Sequence, residues 1–395
     1  MTDGAQHQNC QENQPLKRNR RICFVVATEI TVTAFLIDQI RAAAAHYEVW
    51  LALKTENVNF LVPYGIAATV VPIAIERKIS PLADLAALYF LYRLFRKQRF
   101  DLIHSVSPKA GLLAMMAGFF AHSGRRLHVF TGQVWATRSG MARYGLKWID
   151  RLLAALATHL LVDSRSQRDF LVAEAVLNPR KATVLANGSI SGVDPARFRP
   201  DEKSRADVRR ELGISEQDIV FLFLGRLNRD KGVHDLALAF AQMCKQRANT
   251  WLVMVGPDEG KMKRRVSEIC RECSNRVRMV DYTTQPERYM AAADVFCLPS
   301  YREGFGTVVI EAATCAVPAI ASRIYGLTDA VVDGMTGVLH EAGDVAALAK
   351  EMTKFADDPL RRLSLGAAAR RRALADFSMT GLTAALLDYY EKILG

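Results

Sequence analysis

The stretch FLFLGRLNRDKGV, residues 221–233, joins a short apolar run to a glycine, two spaced cations and the beginning of a helical pattern. The apolar run ends at Gly225 and predicts a fully buried strand. The pattern from about Val233 to Arg247 predicts a helix that follows this strand. A buried strand leading into a helix is typical of an α/β domain with a covered parallel sheet.

The same alternation extends in both directions along the chain. Downstream, buried strands are predicted at WLVMVG (251–256), VRMV (277–280), DVFCLPS (294–300) and VPAIAS (317–322). Upstream, they are predicted at ICFVV (22–26), VWLAL (49–53), DLIHSV (101–106), HVFTG (128–132) and HLLVDS (159–164), with helical patterns between them. In open parallel sheets the ligands bind at the carboxyl ends of the strands. The predicted fold class is therefore α/β, with two Rossmann-like domains whose parallel sheets face a central cleft.

Four segments are predicted along the 395 residues, which are too many for one ordinary core. Residues 1–20 are polar and then basic, without the apolar core of a signal peptide, and predict a disordered leader on a cytoplasmic protein. A first domain is predicted over 21–198 and a second over 199–375. A C-terminal helix over 376–395 could pack back on the first domain. The region from Pro195 to Glu216, which is polar and contains two prolines, predicts a linker.

The net charge of +11 is confined to the first half of the chain. Residues 1–200 contain 25 basic and 14 acidic side chains, whereas residues 201–395 contain 27 of each. This imbalance favours an anionic partner, which could be nucleic acid, a phospholipid surface or a phosphorylated acceptor. The basic half has no recognition motif for nucleic acid, so a nucleic-acid binder is the least favoured of these classes.

Arg226 and Lys231 lie between the strand that ends at Gly225 and the helix that follows. Two cations at the carboxyl end of a strand suit a diphosphate, whose charge must be neutralised when it departs as a leaving group. The alternative is a pair of ordinary solvated cations, and the local sequence leaves both interpretations open.

The segment SYREGFGTVVIEAATCAVP, residues 300–318, follows another predicted strand. Gly304 and Gly306 would let backbone amides approach a phosphate at the N-terminus of a helix that begins near Thr307. Glu311 lies one turn into that helix. Its carboxylate could accept hydrogen bonds from the vicinal hydroxyls of a sugar, or it could only offset the helix dipole.

Taken together, these motifs resemble the retaining glycosyltransferases of family 4, which have the GT-B fold. The resemblance rests on GRLNRDKG (225–232), WLVMVG (251–256), AAADVFCLPSYREGFGTVVIEA (291–312) and VDGMTGVL (332–339). The third of these carries the family's E-x7-E. Upstream, SPKAGLL (107–113), VDSRS (162–166) and NGSISGVDPARF (187–198) resemble the branch that builds O-antigens, capsules and exopolysaccharides. The resemblance covers the chain from about Ile22 to its end.

The resemblance implies that the first domain binds a glycan acceptor and the second domain binds a nucleotide-sugar donor. It implies three catalytic residues: Glu303, which would contact the transferred sugar, and Arg226 and Lys231, which would hold the donor diphosphate. It also implies transfer with retention of the anomeric configuration. Lys109, in the SPKAG motif, would reach the acceptor or its phosphate.

The remaining implied residues surround the donor. Glu311 would bind the ribose hydroxyls, and Tyr282 belongs to the segment VDYTTQ (280–285) that would lie against the nucleobase. The other donor-binding residues are Gly304, Phe305, Gly306 and Thr307 in the second domain, and Thr131 and Gly132 in the first.

The loop VFTGQVW (129–135) departs from the family pattern. Many members have a histidine before the glycine, where it contacts the donor sugar, whereas this chain has Thr131 before Gly132. His128 lies three residues earlier and is expected to point elsewhere. The contact that the family's histidine makes therefore has no direct counterpart here.

No metal and no other cofactor is expected. Metal-dependent glycosyltransferases of the other common fold use an Asp-x-Asp pair to hold a divalent ion, and this pair does not occur in the sequence. Val309 occupies the third glycine position of a dinucleotide fingerprint, which argues against NAD. Cationic side chains and a helix N-terminus would take over the work of the ion.

A helix that begins at Ser80-Pro81 and runs to about Arg99 adds a prediction about location. Apolar residues recur at helical spacing, while the other face is basic with Arg93, Arg96, Lys97 and Arg99. An acceptor on polyprenyl pyrophosphate would be anionic and embedded in the inner leaflet. We therefore expect a peripheral enzyme on the cytoplasmic face of an anionic membrane. The alternative is a helix packed into the domain with solvated cations.

Two other functions are compatible with a sugar-nucleotide site. A sugar-nucleotide epimerase of similar build would need acid and base carboxylates in the cleft. A non-catalytic regulator would bind the sugar nucleotide without turnover, which the substitution at Thr131 leaves open.

Overall fold

In the computed structural model, which describes residues 20–76 and 80–395, the chain forms two sheets of parallel strands. The leader predicted over residues 1–20 lies outside the described residues, except for Arg20. The prediction of two Rossmann-like α/β domains is confirmed. Among the described residues, no helix combines the length and the apolar character that crossing a bilayer requires.

The first sheet is built from the N-terminal half. Its strands are β1 (Arg21–Thr28), β2 (Glu48–Lys54), β3 (Thr69–Pro72), β4 (Leu102–Val106), β5 (Arg126–Phe130), β6 (His159–Val162) and β7 (Ala182–Thr183). They pair in the order β3-β2-β1-β4-β5-β6-β7. The helices of this half are α1 (Glu29–Phe35), α2 (Ile37–Ala44), α3 (Pro81–Gln98), α4 (Pro108–Phe120), α5 (Gly140–Leu156) and α6 (Arg165–Ala173). The central strand β4 is buried throughout, because helices cover both faces of the sheet.

The second sheet repeats this architecture. Its strands are β8 (Ile219–Leu224), β9 (Thr250–Val255), β10 (Val277–Val280), β11 (Val295–Leu298), β12 (Ala319–Ser322) and β13 (Gly337–His340). They pair in the order β10-β9-β8-β11-β12-β13, which is the strand order of a Rossmann fold. The helices are α7 (Glu202–Leu212), α8 (Val233–Met243), α9 (Met262–Ile269), α10 (Pro286–Ala292), α11 (Thr307–Thr314), α12 (Leu327–Ala330), α13 (Val345–Asp357), α14 (Pro359–Asp376) and α15 (Met379–Leu394).

The predicted linker is wrong in one respect, because part of it forms helix α7. The side chain of Asp201 caps this helix by accepting from the Ser204 amide at 2.9 Å. Arg209, within the helix, is buried and donates to the Asp294 carboxylate at 2.7 Å. The segment has the polar composition of a linker because only a narrow face of the helix is buried. It belongs instead to the second domain, where it packs against α10.

The C-terminal helix α15 lies against the first domain. Tyr390 is fully buried there and its hydroxyl is hydrogen-bonded to the ring of His104 on β4. Leu386 and Leu394 belong to the same apolar cluster as the residues of β1 and α2. The chain reaches this position at Met379, whose amide donates to the Val193 carbonyl at 3.0 Å. The last helix therefore ties the end of the chain to the first sheet.

Candidate active site

The loops that follow β5, β6 and β11 meet at two glycines, Gly132 and Gly304. A Cβ atom on Gly132 would lie 3.2 Å from the backbone nitrogen of Gly304. A Cβ atom on Gly304 would lie 2.5 Å from Oδ2 of Asp163. The carboxyl ends of the two sheets therefore face each other here at a distance that only glycine permits. This is where an α/β fold of this kind holds its ligands.

Lys231 reaches this meeting point because of the glycine that follows it. Gly232 has φ 68°, and a Cβ atom on it would lie 1.9 Å from the Pro299 carbonyl oxygen at the end of β11. Asn228 caps the short turn between β8 and α8 by accepting from the Lys231 amide at 3.1 Å. The turn is thereby pressed against the loop that contains Glu303.

Lys231 and Glu303 form an ion pair. Nζ of Lys231 lies 2.5 Å from Oε1 of Glu303, and the Ser300 hydroxyl donates to the same oxygen at 2.8 Å. The lysine side chain is 19% exposed and the glutamate side chain 11%. Two of the predicted catalytic residues, far apart in sequence, are thus brought together in a largely dehydrated position where charge interactions are strong.

The third predicted catalytic residue, Arg226, lies with Lys231 in the segment between β8 and α8 and is bound to a residue that the sequence did not predict. Its guanidinium is 3.1 Å from Oε2 of Glu259, which also accepts from the Asn228 side chain at 2.9 Å. Arg226 remains 40% exposed, so an anion can still approach it. Glu259 follows β9, the neighbour of β8, and its position after a strand end is the signal that could have identified it.

The predicted phosphate-binding turn is formed by Gly304, Phe305, Gly306 and Thr307. Gly306 has φ 83° and is the N-cap of α11, which begins at Thr307 as predicted. A Cβ atom on Gly306 would lie 2.5 Å from a methyl carbon of Leu327. The Phe305 side chain is buried against the Phe377 ring at 5.0 Å, so Phe305 can offer a ligand only its backbone. The turn supplies backbone amides and a helix N-terminus, which together favour an anion.

Glu311 lies one turn further along α11, near the segment predicted to contact the nucleobase. Burial raises the pKa of Glu311 to about 7, the Arg197 guanidinium opposes this shift and the Glu287 carboxylate adds to it. Arg197 binds Glu287 at 2.9 Å and the Thr284 carbonyl at 2.8 Å, whereas Tyr282 is exposed. Arg197 and Glu287 were not predicted, because they come from two separate segments.

On the first domain, Thr131 lies in the loop after β5, and its carbonyl oxygen accepts from the Gln167 side chain at 2.7 Å. His128 is buried in the strand, where its Nδ1 lies 2.8 Å from the Ser105 hydroxyl. Burial lowers the pKa of His128 to about 3. This imidazole is therefore a neutral core residue, and Thr131 with Gly132 forms the first domain's side of the meeting point.

Asp163 is a buried carboxyl that the sequence did not predict as a site residue. Among the described residues, its Oδ1 has no hydrogen-bond partner. Burial raises its pKa to about 8. Its neighbour Ser164 donates from its hydroxyl to the Gly304 carbonyl at 3.0 Å, and Ser166 is bonded to Asp329 and Gly326. The VDSRS segment therefore joins the two domains across the phosphate-binding turn.

Lys109, the predicted acceptor contact, lies in the first turn of α4. Its ammonium group is 2.5 Å from Oδ1 of Asp84, which lies in the first turn of α3. Both side chains are about one fifth exposed. Lys109 is therefore at the carboxyl edge of the first sheet, on a different element from the other predicted residues.

Two known protein families match consecutive parts of the chain. Residues 31–188 match the glycosyl transferase 4-like domain, and residues 204–372 match the glycosyl transferases group 1. The first match contains strands β2 to β7 and the second contains β8 to β13, and together they include all of the predicted site residues.

Individual relatives extend over most of the chain. The capsular polysaccharide biosynthesis glycosyltransferase CapM of Staphylococcus aureus is 28% identical over 82% of this chain and 84% of its own length. The UDP-Gal:alpha-D-GlcNAc-diphosphoundecaprenol alpha-1,3-galactosyltransferase of Escherichia coli is 25% identical over 71% of this chain and 73% of its own. A crystal structure of Anabaena HepE in complex with UDP and glucose superposes with a TM-score of 0.79 at 19% identity, covering 94% of this chain and 100% of that one.

Proposed function

The chain belongs to the family 4 glycosyltransferases of the GT-B fold, and we propose that it transfers a sugar from a nucleoside diphosphate to a glycan acceptor during the biosynthesis of a bacterial surface polysaccharide. The observation that carries this proposal is the position of Lys231, paired with Glu303 at the end of β11, with Arg226 on the loop after β8. The relatives named above are transferases, which does not favour an epimerase or a silent regulator.

The donor diphosphate would lie between Arg226, Lys231 and the amides at the start of α11. Arg226 is accessible, and the N-terminus of α11 adds partial positive charge in the same region. Lys231 would exchange its partner Glu303 for a phosphate oxygen, which leaves the Glu303 carboxylate available to a hydroxyl of the transferred sugar. Charge that develops on the departing phosphate is stabilised most strongly by such fixed donors.

We propose that this transfer needs no divalent cation. Two cationic side chains and a helix N-terminus provide the positive charge that an ion would otherwise supply. Addition of a chelator should leave the initial rate unchanged, and added magnesium should not raise it. A rate that disappears with the chelator and returns with magnesium would refute this part of the proposal.

The acceptor is proposed to be a glycan on polyprenyl pyrophosphate, used at the cytoplasmic face of the membrane. Two observations support this. The Escherichia coli relative is a galactosyltransferase for a diphosphoundecaprenol-linked acceptor, and the first half of the chain has an excess of basic residues. A pyrophosphate-linked acceptor is anionic, so a basic acceptor domain attracts it.

The experiment that tests the proposal has two stages. Thermal unfolding is first measured with UDP-, GDP- and ADP-sugars, because a ligand at 100 times its dissociation constant stabilises by about 2.7 kcal/mol. The sugar nucleotide that stabilises the protein is then incubated with a pyrophosphate-linked acceptor, and the first product is examined by NMR. We expect transfer with retention. Release of free sugar without transfer would contradict the proposed function, and an inverted product would contradict the stereochemistry alone.

A further inference from the structure

Helix α5 presents an apolar face to solvent. Met141, Tyr144, Trp148, Ile149 and Leu152 recur on one side of the helix and are all exposed. Met141 is 85% exposed and Trp148 is 67% exposed. The other exposed positions of the helix are Gly140, Ala142, Gly145 and Ala155, so its outer face carries no charge. A surface helix of a globular protein has the opposite arrangement.

The polar side chains of α5 point inward instead. Arg143 and Lys147 both bind the Glu174 carboxylate, at 2.9 and 2.6 Å, and both lie over the Trp135 ring. Asp150 is buried and accepts from the indole nitrogen of Trp135 at 2.7 Å. The inner face is thus fixed by specific polar contacts, and the outward direction of the apolar face is a consequence of them.

The neighbouring helices extend this apolar surface. Helix α4 contacts both α3 and α5, and its last residues, Phe119 and Phe120, are exposed. On α3 the predicted apolar stripe is only partly buried: Leu91 and Phe95 are buried, whereas Leu85 is exposed. Other exposed apolar residues of α3 are Leu82, Tyr89 and Phe90. We call the exposed apolar residues of α3, α4 and α5 the apolar surface.

The apolar surface is accompanied by most of the protein's net charge. Residues 81–156, from α3 to α5, contain 11 basic and 3 acidic side chains, a net charge of +8 out of +11. The exposed cations among them are Arg93, Arg96, Lys97, Arg99 and Arg138. Exposed apolar side chains, among them a tryptophan and two tyrosines, beside exposed cations match the interface of an anionic bilayer.

The apolar surface also begins at the edge of the cleft. Helices α4 and α5 follow β4 and β5, so their first turns lie at the carboxyl ends of the strands. The Lys109–Asp84 pair joins the first turns of α4 and α3 at the same edge. Met141 and Leu82 lie in the first turns of their helices. An acceptor whose lipid remains in a bilayer could therefore present its sugar at the cleft without leaving the membrane.

We infer that the apolar surface, centred on the outer face of α5, inserts into the headgroup region of an anionic leaflet. This inference rests on the proposed function for its biological meaning, but it concerns a surface rather than the catalytic site. A second copy of the chain is the other possible occupant. Charge argues against it, because residues 81–156 expose five cations and no acidic side chain, so two copies of this surface would repel each other. An anionic leaflet attracts the cations and accommodates the apolar side chains.

The test uses the full chain and vesicles of phosphatidylcholine with or without phosphatidylglycerol. Of the four tryptophans, all of which are described, only Trp148 is exposed, so vesicle binding should shift the fluorescence emission to shorter wavelength in wild type but not in Trp148→Phe. The double variant Trp148→Glu/Leu152→Glu should lose vesicle flotation by about tenfold or more. The matched control is Leu360→Glu/Leu363→Glu, which makes the same change of charge at two exposed leucines of α14.

The control should float like wild type, and both double variants should retain the wild-type unfolding midpoint because all four side chains are exposed. Wild-type flotation by Trp148→Glu/Leu152→Glu would overturn the inference. A second result would also overturn it: light scattering shows a wild-type dimer, and the variant is a monomer that still binds vesicles. Transfer to a short, water-soluble pyrophosphate acceptor separates the two proposals. Trp148→Glu/Leu152→Glu should retain activity on that acceptor. If the wild-type protein has no such activity, the proposed function is refuted while the vesicle result stands.

Discussion

Oε1 of Glu303 receives both the ammonium group of Lys231, at 2.5 Å, and the hydroxyl of Ser300, at 2.8 Å. The backbone positions both members of the pair. Only glycine fits at position 232, against the end of β11, and Gly306 turns the chain into α11. In the absence of donor, each charge is therefore neutralised by the other. Under the proposed function, a donor that separated them would gain a cation for its phosphate and a carboxylate for its sugar.

The first prediction concerns Lys231→Ala. Loss of a cation from a partly dehydrated phosphate site should reduce kcat/KM by about 10²- to 10³-fold, which corresponds to roughly 3–4 kcal/mol of transition-state stabilisation. The free energy of unfolding should fall by less, about 1–3 kcal/mol, because the largely dehydrated Glu303 carboxylate loses its cation but keeps its bond to Ser300. Steady-state kinetics and urea unfolding measure the two effects.

Arg229→Ala is the matched control for that measurement. Arg229 lies in the same turn as Lys231 and is exposed, so its removal should change neither quantity appreciably. If Lys231→Ala and Arg229→Ala have the same kcat/KM, Lys231 is not a donor contact and the diphosphate must be assigned to other groups.

The second prediction concerns Gly304→Ala. The added methyl group would lie 2.5 Å from Oδ2 of Asp163 and 3.0 Å from the Gly132 nitrogen, so the loops of the two domains must move apart. A loop displacement of this size near reacting groups should lower kcat by about 10²-fold. Gly124→Ala is the control, because a methyl group there meets nothing within 4 Å. Equal kcat values for the two variants would show that the domains do not need this close contact during turnover.

The central strands and the cations Arg226 and Lys231 were predicted for the same physical reason, whereas the role of Glu303 was implied only by the family resemblance. Buried parallel strands appear as continuous apolar runs, and their carboxyl ends lie at one edge, which places Lys231 after β8 close to Glu303 after β11. The strands β3, β7 and β13 were missed. All three lie at the edge of their sheets, where a strand pairs on one side only. Glu259, Arg197 and Asp163 were missed for another reason. They reach the site from separate segments, and no local pattern indicates the direction of a single side chain.

The third prediction concerns the pH dependence of stability through Asp163. Burial raises its pKa in the folded state to about 8, while the unfolded value is near 3.8. Between these values the folded protein holds a proton that the unfolded chain has released, so the contribution of Asp163 to stability falls as pH rises from about 4 to about 8. Asp163→Asn removes this dependence. The free energy of unfolding of the variant should exceed that of wild type by about 2–5 kcal/mol at pH 8 and by little at pH 4.

Urea unfolding at several pH values between 4 and 8 measures this difference. Asp169→Asn is the control, because the Asp169 side chain is 76% exposed and only loosely paired with Arg168 at 3.9 Å. Parallel stability curves for wild type and Asp163→Asn across this pH range would mean that the Asp163 carboxyl is hydrated or paired in solution.

The last prediction concerns Lys109, whose ammonium group lies 2.5 Å from the Asp84 carboxylate at the edge of the first sheet. If Lys109 binds the acceptor phosphate, Lys109→Ala should raise the KM for the acceptor by about tenfold and leave the KM for the donor unchanged. Asp84→Asn supplies the contrast, because it keeps the lysine and removes its partner, so the acceptor KM should fall or stay constant. If the pair serves only to join α3 and α4, both variants should lower stability by a similar amount, about 1 kcal/mol or less for a partly exposed pair, and neither should change a KM. The acceptor KM thus separates a ligand contact from a structural ion pair, and equal values in wild type and Lys109→Ala would assign Lys109 to the structure of the first domain.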